Sequence, residues 1–109
     1  MIYHIAHKSD WQDAQKSGSY TADSLTSQGF IHCSNAAQVI KVANSFYHGV
    51  KDLVLLSIDP EKINVEIRYE NLEGGEELFP HVYGAIPLNA VVKTADLYPA
   101  DDGTFRFPD

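Results

Sequence analysis

With 109 residues the chain has the size of one domain, 1–109, with room for one hydrophobic core. Its 44% hydrophobic and 21% charged residues are those of a folded globular protein, which excludes disorder over most of the length. Fifteen acidic against eight basic residues leave a formal charge of −7, which repels a phosphate backbone and argues against duplex nucleic acid as a partner.

No apolar run approaches the roughly 20 residues that span a bilayer, and no basic-then-apolar leader opens the chain. A cytoplasmic protein without membrane contact is expected. The lone Cys33 excludes an internal disulfide and suits a reducing compartment.

In chain order, 1–6 alternates in strand fashion and predicts the first strand. Ser9 can cap a helix from Asp10 that buries Trp11, Ala14 and Gln15 and stops at Gly18. Residues 18–28 read as a loop with one turn at Ser24-Leu25, and 30–33 as the second strand. Asn35 with Gln38 is a capping-box pattern, with Ser34 as the alternative cap. The helix that follows presents Val39, Val42, Ala43 and Phe46 as a core stripe and ends near Gly49.

The unbroken apolar run 53–58 predicts a central strand buried on both faces, ended by a turn at Asp59-Pro60. Val65, Ile67 and Tyr69 alternate with Glu66, Arg68 and Glu70, a strand with one buried and one polar face. The acidic, Gly-containing stretch 71–77 reads as a mobile loop, and 80–83 as a short extended piece. Strand character at 90–92 and 96–98, a turn at 100–103 and an edge strand at 104–107 complete the expectation. Helices early and strands late predict an α+β fold with two helices in the N-terminal half and a mixed, mostly antiparallel sheet.

The residues with chemistry gather in three strand-like stretches. In 29–34, His32 and Ser34 share one face while Ile31 and Cys33 share the other, so Cys33 reads as a small buried hydrophobe. His32 is either a structural histidine on a neighbouring carbonyl or a site group. Ser34 is a cap, a ligand contact or both, at a helix start whose N–H groups suit an anion. His4 sits between apolar neighbours, and His81 and Tyr83 share a face between Pro80 and Gly84. Arg68 and Glu70 are either a solvated ion pair or an anion clamp and a catalytic carboxylate. The histidines lack the spacing of a zinc site, so no metal is expected.

Ile2 to Ile5, Trp11, Gly18-x-Tyr20 and the run 29–34 together resemble one family. The match continues through Gln38, Ala43-Asn44-x-Phe46-Tyr47, Leu55-Leu56-x-Ile58-Asp59, Tyr69-Glu70 and the run 79–84. On these motifs the chain resembles the small bacterial "domain of unknown function 952" family over nearly its whole length. The resemblance implies an ADP-ribosyltransferase-like fold, a split sheet around a cleft that holds NAD in the true enzymes. It also implies roles by position: His4 on ribose, Ser34 or His32 on the second strand, and Glu70 as the late-strand glutamate. The His-Gly pair of those enzymes is absent, because Ile5 follows His4. Tyr83 stands as the aromatic beside nicotinamide.

The leading expectation is thus an enzyme, a glycosyl- or ADP-ribosyl-type transferase acting on a nucleotide or phosphorylated ribosyl compound. Glu70 and His32 are its catalytic candidates, with His4, Ser34, Arg68, His81 and Tyr83 on an anionic small-molecule ligand. NAD enters by analogy of fold alone. The alternatives are a non-catalytic module binding a nucleotide-like anion in the same cleft, and a structural domain with buried, fully bonded histidines.

Overall fold

The computed structural model describes residues 1–72 and 74–108. β1 (Ile2–His7) runs directly into α1 (Lys8–Ser17), followed by β2 (Ser19–Tyr20), α2 (Asp23–Gln28), β3 (Ile31–His32) and α3 (Ala36–Phe46). The second half holds β4 (Leu53–Ile58), β5 (Ile67–Glu70), β6 (Phe79–Val82), β7 (Ile86–Pro87) and β8 (Val91–Leu97), with short 3₁₀ turns after β4 and β7. The fold is α+β as expected, with every described strand pair antiparallel.

Two three-stranded sheets carry the structure, in the orders β1-β4-β8 and β3-β6-β5, beside a small β2-β7 ribbon. They meet where Tyr3 and Ser34 exchange backbone hydrogen bonds of 2.7 and 2.8 Å. Beyond that point β1 and β3 part, and the gap between them is a cleft of about 890 Å³. β4 is buried on both faces, which is why its sequence is an unbroken apolar run. Val54, Leu56 and Ile58 pack in one core with Ile2, Ala6 and Ile31, while Leu53 and Leu55 pack in another with Ile5, Val39 and Ala43.

Several local expectations are corrected. Ser9 lies inside α1, because the helix starts at Lys8 straight out of β1 with His7 at the cap position. Within that helix Ala14 is buried and Trp11 packs against the core, but Gln15 is exposed. The stretch 18–28 holds β2 and a full short helix, α2, so the described residues form three α-helices and not two. Gly29 closes α2 at φ 88°, a left-handed conformation that lets the chain double back into β3. In α3 Val39 and Ala43 are buried and Val42 partly so, whereas Phe46 is 71% exposed at the mouth of the cleft. Tyr47, not Gly49, is the C-cap.

The alternation of β5 keeps Arg68 and Glu70 on one face, but the face of Tyr69 is not buried at that end. Tyr69 is 57% exposed and Glu70 is turned inward, because β5 is an edge strand and Glu70 finds donors on β6 and just beyond it. In the loop 71–77, Glu73 lies outside the described residues. The rest is tied across itself by Asn71, which donates to the Glu77 carbonyl at 2.7 Å and accepts from Gly75 N–H at 3.1 Å. The two pieces expected after residue 89 form one strand, β8. Residues 104–107 add no strand; Phe105 is buried instead, its N–H bonded to Asn44 Oδ1 at 2.7 Å.

Two polar devices fix the parts that frame the cleft. Asn35 and Gln38 form a complete capping box at the start of α3, each side chain accepting the other's backbone N–H at 2.9 Å. The buried Gln38 also donates through Nε2 to the Leu78 carbonyl at 2.8 Å, tying α3 to the approach to β6. The second device is His4, whose Nδ1 donates to the His32 carbonyl at 2.5 Å and whose Nε2 accepts from the Tyr20 hydroxyl at 2.8 Å. Burial lowers the His4 pKa to about 4 and raises that of Tyr20, so both are neutral at pH 7.

Asn35→Ala should cost about 1 kcal/mol, the usual value of a lost cap. Gln38→Leu strands the Asn35 N–H and the Leu78 carbonyl and should cost more, on the order of 2–3 kcal/mol in urea unfolding. Equal effects would show that the Leu78 contact contributes nothing. For His4, the folded pKa lies below the ordinary 6.5. The unfolded chain therefore binds a proton that the folded chain refuses, and stability falls as pH drops from 6.5 towards 4. Between pH 7 and 5 this residue should account for about 2 kcal/mol of lost stability. His4→Gln should remove that part of the pH dependence, read from denaturation midpoints at the two pH values.

Candidate functional site

Three strands deliver the polar side chains of the cleft. His32 on β3 faces His81 on β6 across a direct register pair, with ring centroids 5.4 Å apart and edge-to-face. Arg68 on β5 is the next partner of His81, so a row of polar residues crosses this sheet. Alternation puts Phe30 on the same face as His32, and Tyr83 and Glu70 on the face of His81. Phe30 stacks on the His81 ring at 4.1 Å and meets His32 at 4.7 Å. It is buried to 5% exposure and forms an apolar floor under the polar row.

Glu70 is the electrostatic centre of this face. Its Oε1 accepts from His81 Nδ1 at 3.0 Å and from the Tyr83 hydroxyl. The Tyr83 hydroxyl first, and His81 second, hold the carboxyl below the usual carboxylate range, while Glu70 raises the pKa of Tyr83. Glu70 is therefore ionised at neutral pH and can only accept. In the neutral imidazole this puts the proton of His81 on Nδ1 and leaves Nε2 with a lone pair and no partner among the described residues. His81 is itself buried to 5% exposure and lines the cleft. Gly84, just past Tyr83, packs so closely that an added Cβ would lie 2.7 Å from Val65.

The expected site residues fall into two groups. His4, His32, Ser34, Glu70 and His81 all line the one cleft. Arg68 and Tyr83 do not: Arg68 is exposed, ion-paired with Glu66 at 2.9 Å, and lies 4.5 Å over the Tyr83 ring. Tyr83 acts from behind, through Glu70. His32 is exposed and donates through Nε2 to Gln28 Oε1 at 2.6 Å. Ser34 is 5% exposed at the cleft, with no hydrogen-bond partner for its hydroxyl among the described residues. The helix start beside it, 35–37, lies outside the lining, and its cap is supplied by Asn35 and Gln38. Cys33 is buried in the core, where burial pushes its thiol up to about 12 and makes it inert.

Sequence reasoning missed Phe30, Tyr20 and two acids of the lining, Asp10 and Asp23. The two-residue period that joins His32 to Ser34 reaches back equally to Phe30, so that signal was present. Tyr20, Asp10 and Asp23 come from the β1–β3 connection, whose path round the cleft has no local signature. Among the described residues no group of His, Cys, Asp and Glu has the arrangement of a metal site. No helix is long and apolar enough to cross a membrane.

The architecture is shared with known structures. The crystal structure of CC0527 from Caulobacter crescentus matches with a TM-score of 0.87 and 30% identity, over 96% of this chain and 92% of that one. Its solution NMR structure matches at 0.77 and 30% identity, over 94% and 89%. No curated protein matches the chain. A family model described as "Protein of unknown function (DUF952)" matches residues 5–94. With most of its length inside that model and a fold shared at 30% identity, the chain belongs to the DUF952 family.

Proposed function

We propose that the protein is an enzyme of glycosyl-transfer type, with an ADP-ribosyltransferase-like division of the sheet, acting at the anomeric carbon of a ribosyl compound. One observation carries this reading: an ionised Glu70, held by His81 and Tyr83, stands at a cleft between two diverging sheets. Both donors converge on Oε1, so Oε2 has no partner among the described residues and is available to a substrate. A preorganised carboxylate of this kind stabilises positive charge that develops only in the transition state.

The bond from the anomeric carbon to the leaving group breaks, and its electron pair departs with the leaving group. Glu70 Oε2 offsets the charge of the oxocarbenium-like centre. The oxygen of water or of an acceptor hydroxyl bonds to that carbon, and its proton passes to the lone pair of His81 Nε2. Glu70 fixes the tautomer that makes this transfer feasible, which is the role of a carboxylate behind a histidine base. His32 and Ser34 supply hydrogen bonds to sugar hydroxyls from the neighbouring strand.

NAD fits this cleft poorly. Its pyrophosphate requires cationic side chains or free helix N–H groups. Among the described residues the lining contains no Lys or Arg, and it excludes the start of α3.

A second reading, a non-catalytic binding module, is favoured by His4. Both of its ring nitrogens are engaged, so the residue that the family resemblance assigns to ribose has no free donor or acceptor. Glu70→Gln separates the two readings. Wild-type protein incubated with a panel of ribosyl compounds should release a free leaving group, read by chromatography. The variant should fold with a similar melting temperature and lose about 10²-fold or more in rate. A variant with undiminished turnover would remove Glu70 from the mechanism, and a wild type that binds without turnover would establish the binding module.

A further inference from the structure

We infer that the ribosyl compound taken by this cleft carries no phosphate, and that its base is uncharged or cationic. The inference rests on the reading of the cleft as a ribosyl site and names the substrate class within it. It comes from the sign of the lining. Asp10, Asp23 and Glu70 bring three carboxylates to the cleft, and among the described residues no Lys or Arg accompanies them. Histidines are the only other ionisable nitrogens there, and His4 is kept neutral by burial among bonded partners.

The nearest strand cation is committed elsewhere. Arg68 is paired with Glu66 and laid over Tyr83, outside the lining. Lys8, the first residue of α1, is paired with Asp96 at 3.3 Å. The α3 start, the helix terminus adjacent to Ser34, lies outside the lining, and its Gln38 N–H is taken by the Asn35 side chain. A phosphate entering the cleft would meet like charge without a compensating donor array. The net charge of −7 adds a long-range field of the same sign.

What the cleft does offer is flat apolar surface beside neutral hydrogen-bonding groups. Phe30 lies against the imidazoles, Phe46 and Tyr47 stand at the α3 side, and Ser34 lies at the junction of the sheets with no protein partner for its hydroxyl among the described residues. These suit a planar base and a sugar with free hydroxyls. A cationic N-glycosidic base also gains from the carboxylates, and it departs as a neutral molecule when the glycosidic bond breaks.

The test uses matched pairs that differ only in phosphate. Nicotinamide riboside against its 5′-monophosphate supplies the cationic pair, and adenosine against adenosine 5′-diphosphate the neutral one. Affinities are measured by calorimetry on the full chain at low and at physiological salt. The nucleosides should bind at least tenfold more tightly than their phosphates at low salt, with the gap narrowing as salt screens the carboxylates. Asp10→Asn combined with Asp23→Asn should narrow the gap in the same way, by strengthening the phosphates and weakening the cationic nucleoside. Phosphates that bind as tightly as the nucleosides, or more tightly, overturn the substrate class and leave the ribosyl reading standing. Failure of both members of both pairs to bind overturns the inference together with the reading beneath it.

Discussion

The structure depends on one short join. Tyr3 and Ser34 exchange two backbone hydrogen bonds, and they are the point where two otherwise separate sheets touch edge to edge. A continuous ladder there would have closed the gap and buried both strands' side chains. A single bridge instead holds the sheets together at one end and lets them diverge at the other. The open backbone left by this arrangement is partly satisfied by His4, which donates to the His32 carbonyl just past the bridge. His4 is therefore a structural strut first. Its neutrality, enforced by burial, is what allows a histidine to stand between two sheets and a buried tyrosine without an unpaired charge.

From this join the chemistry follows by alternation. One face of β3-β6-β5 carries Phe30, His32, His81, Arg68 and Glu70 because each lies an even number of residues, or a direct register step, from the next. Glu70 gathers the donors of this face and is ionised because they donate to it. The same contacts turn the ring of His81 so that its second nitrogen has no protein partner among the described residues. Packing contributes too: Phe30 covers one side of the His81 ring and restricts its motion. A buried histidine with one nitrogen oriented by a carboxylate and the other unpartnered is suited to moving a proton.

Much of this was legible in the sequence, for identifiable reasons. β4 announced itself because both of its faces are buried, and the α3 capping box because its chemistry is local. The polar face that bears Glu70 followed from a two-residue period. What was not legible depends on distant partners. Phe46 has the right helical spacing for the core, yet the last turn of α3 overhangs the cleft and leaves it exposed. Arg68 has the right position for an anion clamp, yet Glu66 and the Tyr83 ring draw it away. The acids of the lining arrive from a connection whose path is set by tertiary packing, so the sign of the cleft emerges only when Asp10 and Asp23 are brought beside Glu70.

The central claim is that Glu70 fixes His81 in the form that leaves Nε2 free to take a proton. Long-range nitrogen–proton NMR correlation of the histidine rings at neutral pH reads that form directly. Neutral His81 should carry its proton on Nδ1 with a bare Nε2, and lose this preference in Glu70→Gln. A proton resident on Nε2 in the wild type, with Nδ1 bare, would contradict it.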